Sequence, residues 1–158
     1  MNVKLKRATI SDFSQIHDFE IELSEYERSL GLPDVRSKGV VQCYSDAQLK
    51  EFLTDVNTYF LIAEIDGKPV GCGFVQIRSN IPTWDKNEKH GYIGLIYVRE
   101  AHRGKGISSK ITSELTAWVK IQGVKELRIK AFTANKQALK VYEKQGFTNL
   151  VTEMIKEI

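Results

Sequence analysis

Cysteine is scarce in this chain: Cys43 and Cys72 are the only two among 158 residues, and neither belongs to a CxxC pair. That argues against a disulfide-stapled scaffold and more strongly against a structural zinc site. Histidine is equally thin. His17, His90 and His102 are scattered with no HExxH, so no metal is assigned. No apolar run approaches the length of a membrane helix, and the opening MNVKLKRATISD lacks the apolar core of a secretory signal. A cytoplasmic protein that binds no membrane is expected. Charge of one sign is also missing: the net charge is +3, with basic residues spread along the chain. Neither a single-sign field nor a basic and aromatic stacking platform marks a nucleic-acid binder.

What is present is a globular composition, 42% hydrophobic and 27% charged, in a length suited to one domain spanning 1–158. VKLKRAT alternates as a short strand. Ser11 and Asp12 then precede a helical stripe through Phe13, Ile16, Phe19 or Glu20, Leu23 and Tyr26 or Glu27, which stops before Gly31. Ser45 and Gln48 have capping-box spacing and start a short second helix. TYFLIAEI and PVGCGFVQIR flank Asp66-Gly67-Lys68, a hairpin signal. GYIGLIYV, 91–98, is almost continuously apolar, as a central strand would be. A helix is expected over 107–122, a strand over 125–132, a helix over 135–146, and a terminal strand in FTNLVTEMIKEI. Strand, helix and strand in that order imply a right-handed crossover with local parallel pairing.

The stretch REAHRGKGISSK, 99–110, lies between the central strand and the following helix. A helix start has unpaired N–H groups and a partial positive charge, and glycines let a ligand approach the backbone closely. Successive N–H groups can form an anion-binding nest, which suits phosphate oxygens. Arg99, Arg103, Lys105 and Lys110 would add charge around it. A Walker A loop fails because Gly106 is followed by Ile107, and a dinucleotide fingerprint fails because Ser109 replaces its last glycine.

YVREAHRGKGISSKI together with ANKQALKVYEKQGF resembles the acetyl-coenzyme A site of the GNAT superfamily of N-acetyltransferases. Arg103, Gly106 and Ser108 occupy the places of its core motif, where Ser108 departs from the family's Gly or Ala. RATISDFSQI resembles the family's opening strand and helix. The resemblance implies an α/β, single-domain GNAT-like fold: a mixed, mostly antiparallel twisted sheet with a locally parallel splayed pair and flanking helices. It implies that Arg103, Gly104, Lys105, Gly106, Ile107, Ser108 and Ser109 hold the coenzyme A diphosphate. Ile96 and Val98 would bond the pantetheine arm through their backbone, and the N–H of Val98 would meet the oxyanion. Tyr142 would protonate the departing thiolate, and Asn135 would contact the cofactor as well as cap its helix.

The base that frees the amine is less defined, because GYIGLIYV contains no Asp or Glu. Asp85, Glu88 and His90 before it, or Glu22 and Glu25 on the first helix, are candidates, acting directly or through water. Tyr26, Tyr44, Trp84 and Asp85 could form an aromatic and acidic pocket for a cationic amine, with Tyr97 also lining it. The expected activity is transfer of acetyl from acetyl-CoA to a primary amine, on a small molecule, by direct attack in a ternary complex. A protein N-terminal or lysine acetyltransferase, and a noncatalytic acyl-CoA sensor, are the alternatives. Relatives of this kind often form homodimers.

Overall fold

In a computed structural model that describes residues 2–31, 43–79, 85–156 and 158, the elements run in the expected order. They are β1 (Val3–Arg7), α1 (Phe13–Ser29), α2 (Asp46–Thr54), β2 (Thr58–Ile65), β3 (Lys68–Arg78), β4 (His90–Val98), α3 (Ile107–Ile121), β5 (Leu127–Ile129) and α4 (Lys136–Lys144). The strands form one sheet in the order β1-β2-β3-β4-β5, antiparallel except for the parallel pair β4–β5. The mixed, mostly antiparallel sheet with flanking helices matches the expected GNAT-like fold.

Local chemistry accounts for the boundaries. Ser45 and Gln48 form a reciprocal capping box, each side chain bonding the other residue's backbone N–H at 3.3 and 2.9 Å. Such a cap contributes about 1 kcal/mol. The β2–β3 hairpin turns at Asp66 and Gly67, both with positive φ, which Asp tolerates and Gly adopts freely. One side of the sheet packs on α3 through Val75, Ile93, Ile111 and Leu115; the other packs on α1 and α2 through Phe19, Leu49, Phe60 and Phe74.

A β-bulge in β4 decides which residues face which side. Phe74 pairs with Leu95 and Val75 with Ile93, leaving Gly94 as the extra residue. Before the bulge Ile93 faces α3; after it Leu95 and Tyr97 face α1, while Ile96 and Val98 pack towards α3. Only glycine fits there, because an added Cβ would run into the Phe74 ring and lie 2.9 Å from the Tyr44 hydroxyl.

Two expectations need correction. The terminal strand is not formed: residues 147–156 and 158 belong to no strand, and Leu150, Val151, Met154 and Ile155 are exposed. Alternation licenses a strand only where a neighbour offers backbone partners and one phase is apolar. Here both phases carry apolar residues, and β5 is three residues long. That strand, expected over 125–132, is accordingly much shorter than its apolar pattern suggests.

Candidate active site

β5 pairs with β4 only at Gly91, Tyr92 and Ile93, after which the two chains diverge. The fork so formed is a cavity of about 390 Å³, within the range of small-molecule sites. β4 residues 93–98, the start of α3, the chain after β5 and the inner side of α4 line it, with Leu23, Tyr26 and Glu27 of α1.

The β4 edge facing the fork carries unused backbone donors. The Arg99 N–H donates to Val70 O of β3 at 2.9 Å. Because successive N–H groups of a strand point to opposite sides, those of Val98 and Ile96 point away from β3 and into the fork. At the mouth of α3, Gly104 and Gly106 both have φ near +75°, and Gly106 is the N-cap without any capping side chain. The first turn of α3 therefore presents bare N–H groups and the positive end of the helix dipole to the cavity, a preformed anion cradle. Gly104, Gly106, Ile107, Ser108 and Ser109 all line it. Ser109 Oγ accepts from Gln145 Nε2 at 3.1 Å, tying the start of α3 to the end of α4.

The expected cationic rim is placed differently. Arg99 grips both carboxylate oxygens of Glu22 and donates to Pro69 O. Arg103 donates through Nε to Val98 O at 2.9 Å and lies over the Tyr26 ring. Lys105 donates to Ala101 O, and Lys110 to Val3 O. The positive helix start repels cations, so these side chains turn to carbonyls and carboxylates that attract them. Arg103 still lines the cavity, whereas Lys105 does not. Lys130 and Lys144 do, along with Gln137 and Val141. The sequence reading missed these four because nothing in their spacing reveals which way the chain after β5 turns.

Tyr142 projects from α4 into the fork and packs edge-on against Phe147, ring centres 5.9 Å apart. Burial, helped by the charge of Glu27, pushes its phenol up to about 12. It is therefore a neutral O–H donor at any physiological pH. Asn135 caps α4 by accepting the Ala138 N–H at 3.1 Å, and it also lines the cavity.

Of the residues proposed to free or bind an amine, Tyr26 and Tyr97 line the cavity, whereas the proposed acids are dispersed. Asp85 is bonded by the Asn87 N–H and by Arg128, which hold its carboxyl below the usual carboxylate range. It lies beside the start of β4, far from Val98, so it does not meet Tyr26 at the opposite end. Glu88 and Glu25 are exposed and off the cavity wall. His90 is buried at the β4 start, with burial and Arg128 lowering its pKa. Glu22 is engaged by Arg99. Tyr97 is buried against α1, where desolvation and then its hydrogen bond to Glu22 push it up to about 12. Trp84 lies outside the described residues. Glu27, absent from the sequence-derived set, is the one carboxylate among the described residues on the cavity wall. Among the described residues no cluster of three His, Cys, Asp or Glu could hold a metal, and no helix is long and apolar enough to cross a membrane.

An alkaline signature follows from Tyr44, Tyr97 and Tyr142, each raised to about 12 chiefly by burial. Unfolded, each would ionise near 10. Their contribution to stability is fully present below about pH 10 and is lost as pH rises towards 12. Phenolate absorbance should show these three titrating together with unfolding; three normal titrations in folded protein would contradict the packing.

Comparison with known proteins agrees with this architecture. The model of the Acetyltransferase (GNAT) family matches residues 19–147. The chain is 26% identical over 141 residues to the N-alpha-acetyltransferase MAK3 of Arabidopsis thaliana, covering 87% of this chain and 72% of that one. It is 28% identical over 155 residues to the thialysine N-epsilon-acetyltransferase of Bos taurus, covering 94% and 85%. Among solved structures, a tetramutant of the BH1408 protein from Bacillus halodurans superposes with a TM-score of 0.84 at 17% identity, covering 98% and 99%. With the family model spanning the fork, the α3 cradle and α4 alike, the chain belongs to the acetyltransferase (GNAT) family and is an acetyltransferase by class.

Proposed function

We propose that this protein transfers the acetyl group of acetyl-CoA to a primary amine on a small molecule, by direct attack within a ternary complex. The observation that carries this reading is the fork itself: one continuous cavity joins a bare amide cradle, an unpaired strand edge and a neutral tyrosine. The cradle at Gly104 to Ser109 suits the diphosphate of the cofactor. The arm would run along β4, accepting hydrogen bonds from Ile96 and Val98. An acetyl carbonyl placed at the Val98 N–H would be polarised as its oxygen gains charge. Tyr142 supplies the proton to the departing thiolate, and Glu27 helps to keep that phenol protonated.

The amine must lose a proton to attack. β4 contains no carboxylate, and Asp85 and Glu22 are engaged by arginines, so water takes that proton, with Glu27 the carboxylate on the cavity wall towards which it can pass. Direct attack needs no cysteine nucleophile, and Cys72 is unsuited to be one: it is fully buried, and its thiol is pushed well above its ordinary value by desolvation.

Support for a small acceptor comes from the similarity to the thialysine N-epsilon-acetyltransferase, which runs over nearly the whole chain. A second reading, acetylation of an α-amine such as a protein N-terminus, takes its support from the N-alpha-acetyltransferase of Arabidopsis thaliana. The test is an assay of acetyl-CoA with small amines and peptides, following free thiol and confirming each product by mass. Thiol release matched to acetylated small amine is expected. Release only with peptides would favour the second reading, and cofactor binding without release would make the protein an acyl-CoA sensor.

A further inference from the structure

Two cations on the cavity wall take no part in moving the acetyl group. Among the described residues the wall carries Arg103, Lys130 and Lys144 against a single carboxylate, Glu27, so it favours a ligand with several negative charges. Arg103 uses its Nε on Val98 O and its face on the Tyr26 ring. Among the described residues the ammonium groups of Lys130 and Lys144 make no ion pair and no hydrogen bond.

The two lysines belong to different ends of the fork. Lys130 follows Ile129, which pairs with Ile93 where β4 and β5 part. The α3 cradle begins beyond Val98, five residues further along β4, or roughly 16 Å at about 3.3 Å per residue. Lys144 is beside the cradle. The next residue, Gln145, donates through Nε2 to Ser109 Oγ at 3.1 Å, which brings the last turn of α4 against the first turn of α3. Neighbouring Cα atoms are about 3.8 Å apart and the lysine stem is a flexible chain of four carbons, so an anion close to the cradle is within reach of this ammonium.

The helix dipole alone favours a lysine in the last turn of α4, where such a side chain can bond the final carbonyls. Lys144 bonds none of them and forms part of the cavity wall instead. The amides of Gly104 to Ser109 are taken up by the diphosphate. Coenzyme A carries one more phosphate, on the 3′ position of its ribose, a single sugar ring away from that diphosphate, and a flexible ammonium suits it as a point charge.

Resting on the acetyl-CoA reading above, we infer that Lys144 is a specificity-determining residue for the cofactor: its ammonium pairs with the ribose 3′-phosphate, so that the protein separates coenzyme A from 3′-dephospho-coenzyme A. Lys130, at the seam of β4 and β5, takes no part in that choice.

Calorimetric titration of coenzyme A and of 3′-dephospho-coenzyme A into wild type, Lys144→Ala, Lys144→Arg and Lys130→Ala tests this without turnover. At low salt wild type should bind coenzyme A about fivefold tighter than the dephosphorylated form, the upper end for an exposed ion pair because a phosphate carries nearly two charges. The gap should narrow at about 1 M salt, where the screening length is about 3 Å. Lys144→Ala should close it by weakening coenzyme A alone, and its unchanged affinity for the dephosphorylated form would show that the variant is folded with its cradle intact. Lys144→Arg and Lys130→Ala should both keep the gap. Equal affinity of wild type for the two ligands, a gap that survives in Lys144→Ala, an equal loss of both ligands in that variant, or closure of the gap by Lys130→Ala as well would overturn the inference and leave the acetyl-CoA reading in place. Binding of neither ligand to wild type would end both.

Discussion

Tyr142→Phe should lower kcat by about 10²-fold, the lower end of what a positioned general acid contributes, while the KM for acetyl-CoA stays nearly constant. The substitution keeps the ring that packs on Phe147 and lines the fork, so the loss reports the hydroxyl alone. Two further readouts separate proton donation from packing. An acyl donor with a more acidic thiol needs less help to leave, so it should recover much of the lost rate in the variant and gain little in wild type. The pH profile should also lack any falling limb from Tyr142 until near its value of about 12. Equal turnover of Tyr142→Phe and wild type with acetyl-CoA would remove the proton-donor role.

The second large effect is expected at Gly94→Ala. The new methyl would enter the space of the Phe74 ring and press on the Tyr44 hydroxyl, in a core where Phe74 also touches Phe52 and Phe60. Overpacking of this kind costs about 1–3 kcal/mol. For a chain of this size that is a fall in melting temperature of about 3–10 °C, read by calorimetry. Activity should fall further than stability explains, by about 10²-fold, because the bulge sets where the Ile96 and Val98 amides lie. Tyr44→Phe in the same background would relieve the contact at the hydroxyl but not at Phe74, so it should restore little. A Gly94→Ala protein with normal melting and normal turnover would contradict the register of β4.

How far the sequence alone reveals this site depends on the range of the forces involved. The hairpin at Asp66-Gly67, the Ser45 cap and the glycine-flanked start of α3 are local: a few adjacent residues determine each, and each is found where the pattern puts it. The family resemblance rested on such local motifs too. The bulge at Gly94 is not local. It exists only because β3 pairs with β4 in one register, and an apolar run such as GYIGLIYV hides a change of face completely. The cations near the loop show the same limit. Their number is plain in the sequence, but their direction depends on carbonyls and a carboxylate contributed by Val3, Pro69, Val98 and Glu22. Asp85, an acceptor-binding acid by its sequence context alone, is neutralised by Arg128, 43 residues later. The apolar alternation of the last residues suggested a strand that has no neighbour to join.

The short seam between β4 and β5 has one more consequence. Only three residue pairs hold the last strand to the sheet, and no residue of α4 is fully buried, Tyr142 being partly so. The portion from Leu127 to Lys144 is thus attached mainly along one side of a wedge. A cofactor seated in that wedge would serve as a mortar joint as well as a reactant, so loading it should slow amide hydrogen exchange across α4 far more than in the hairpin of β2 and β3.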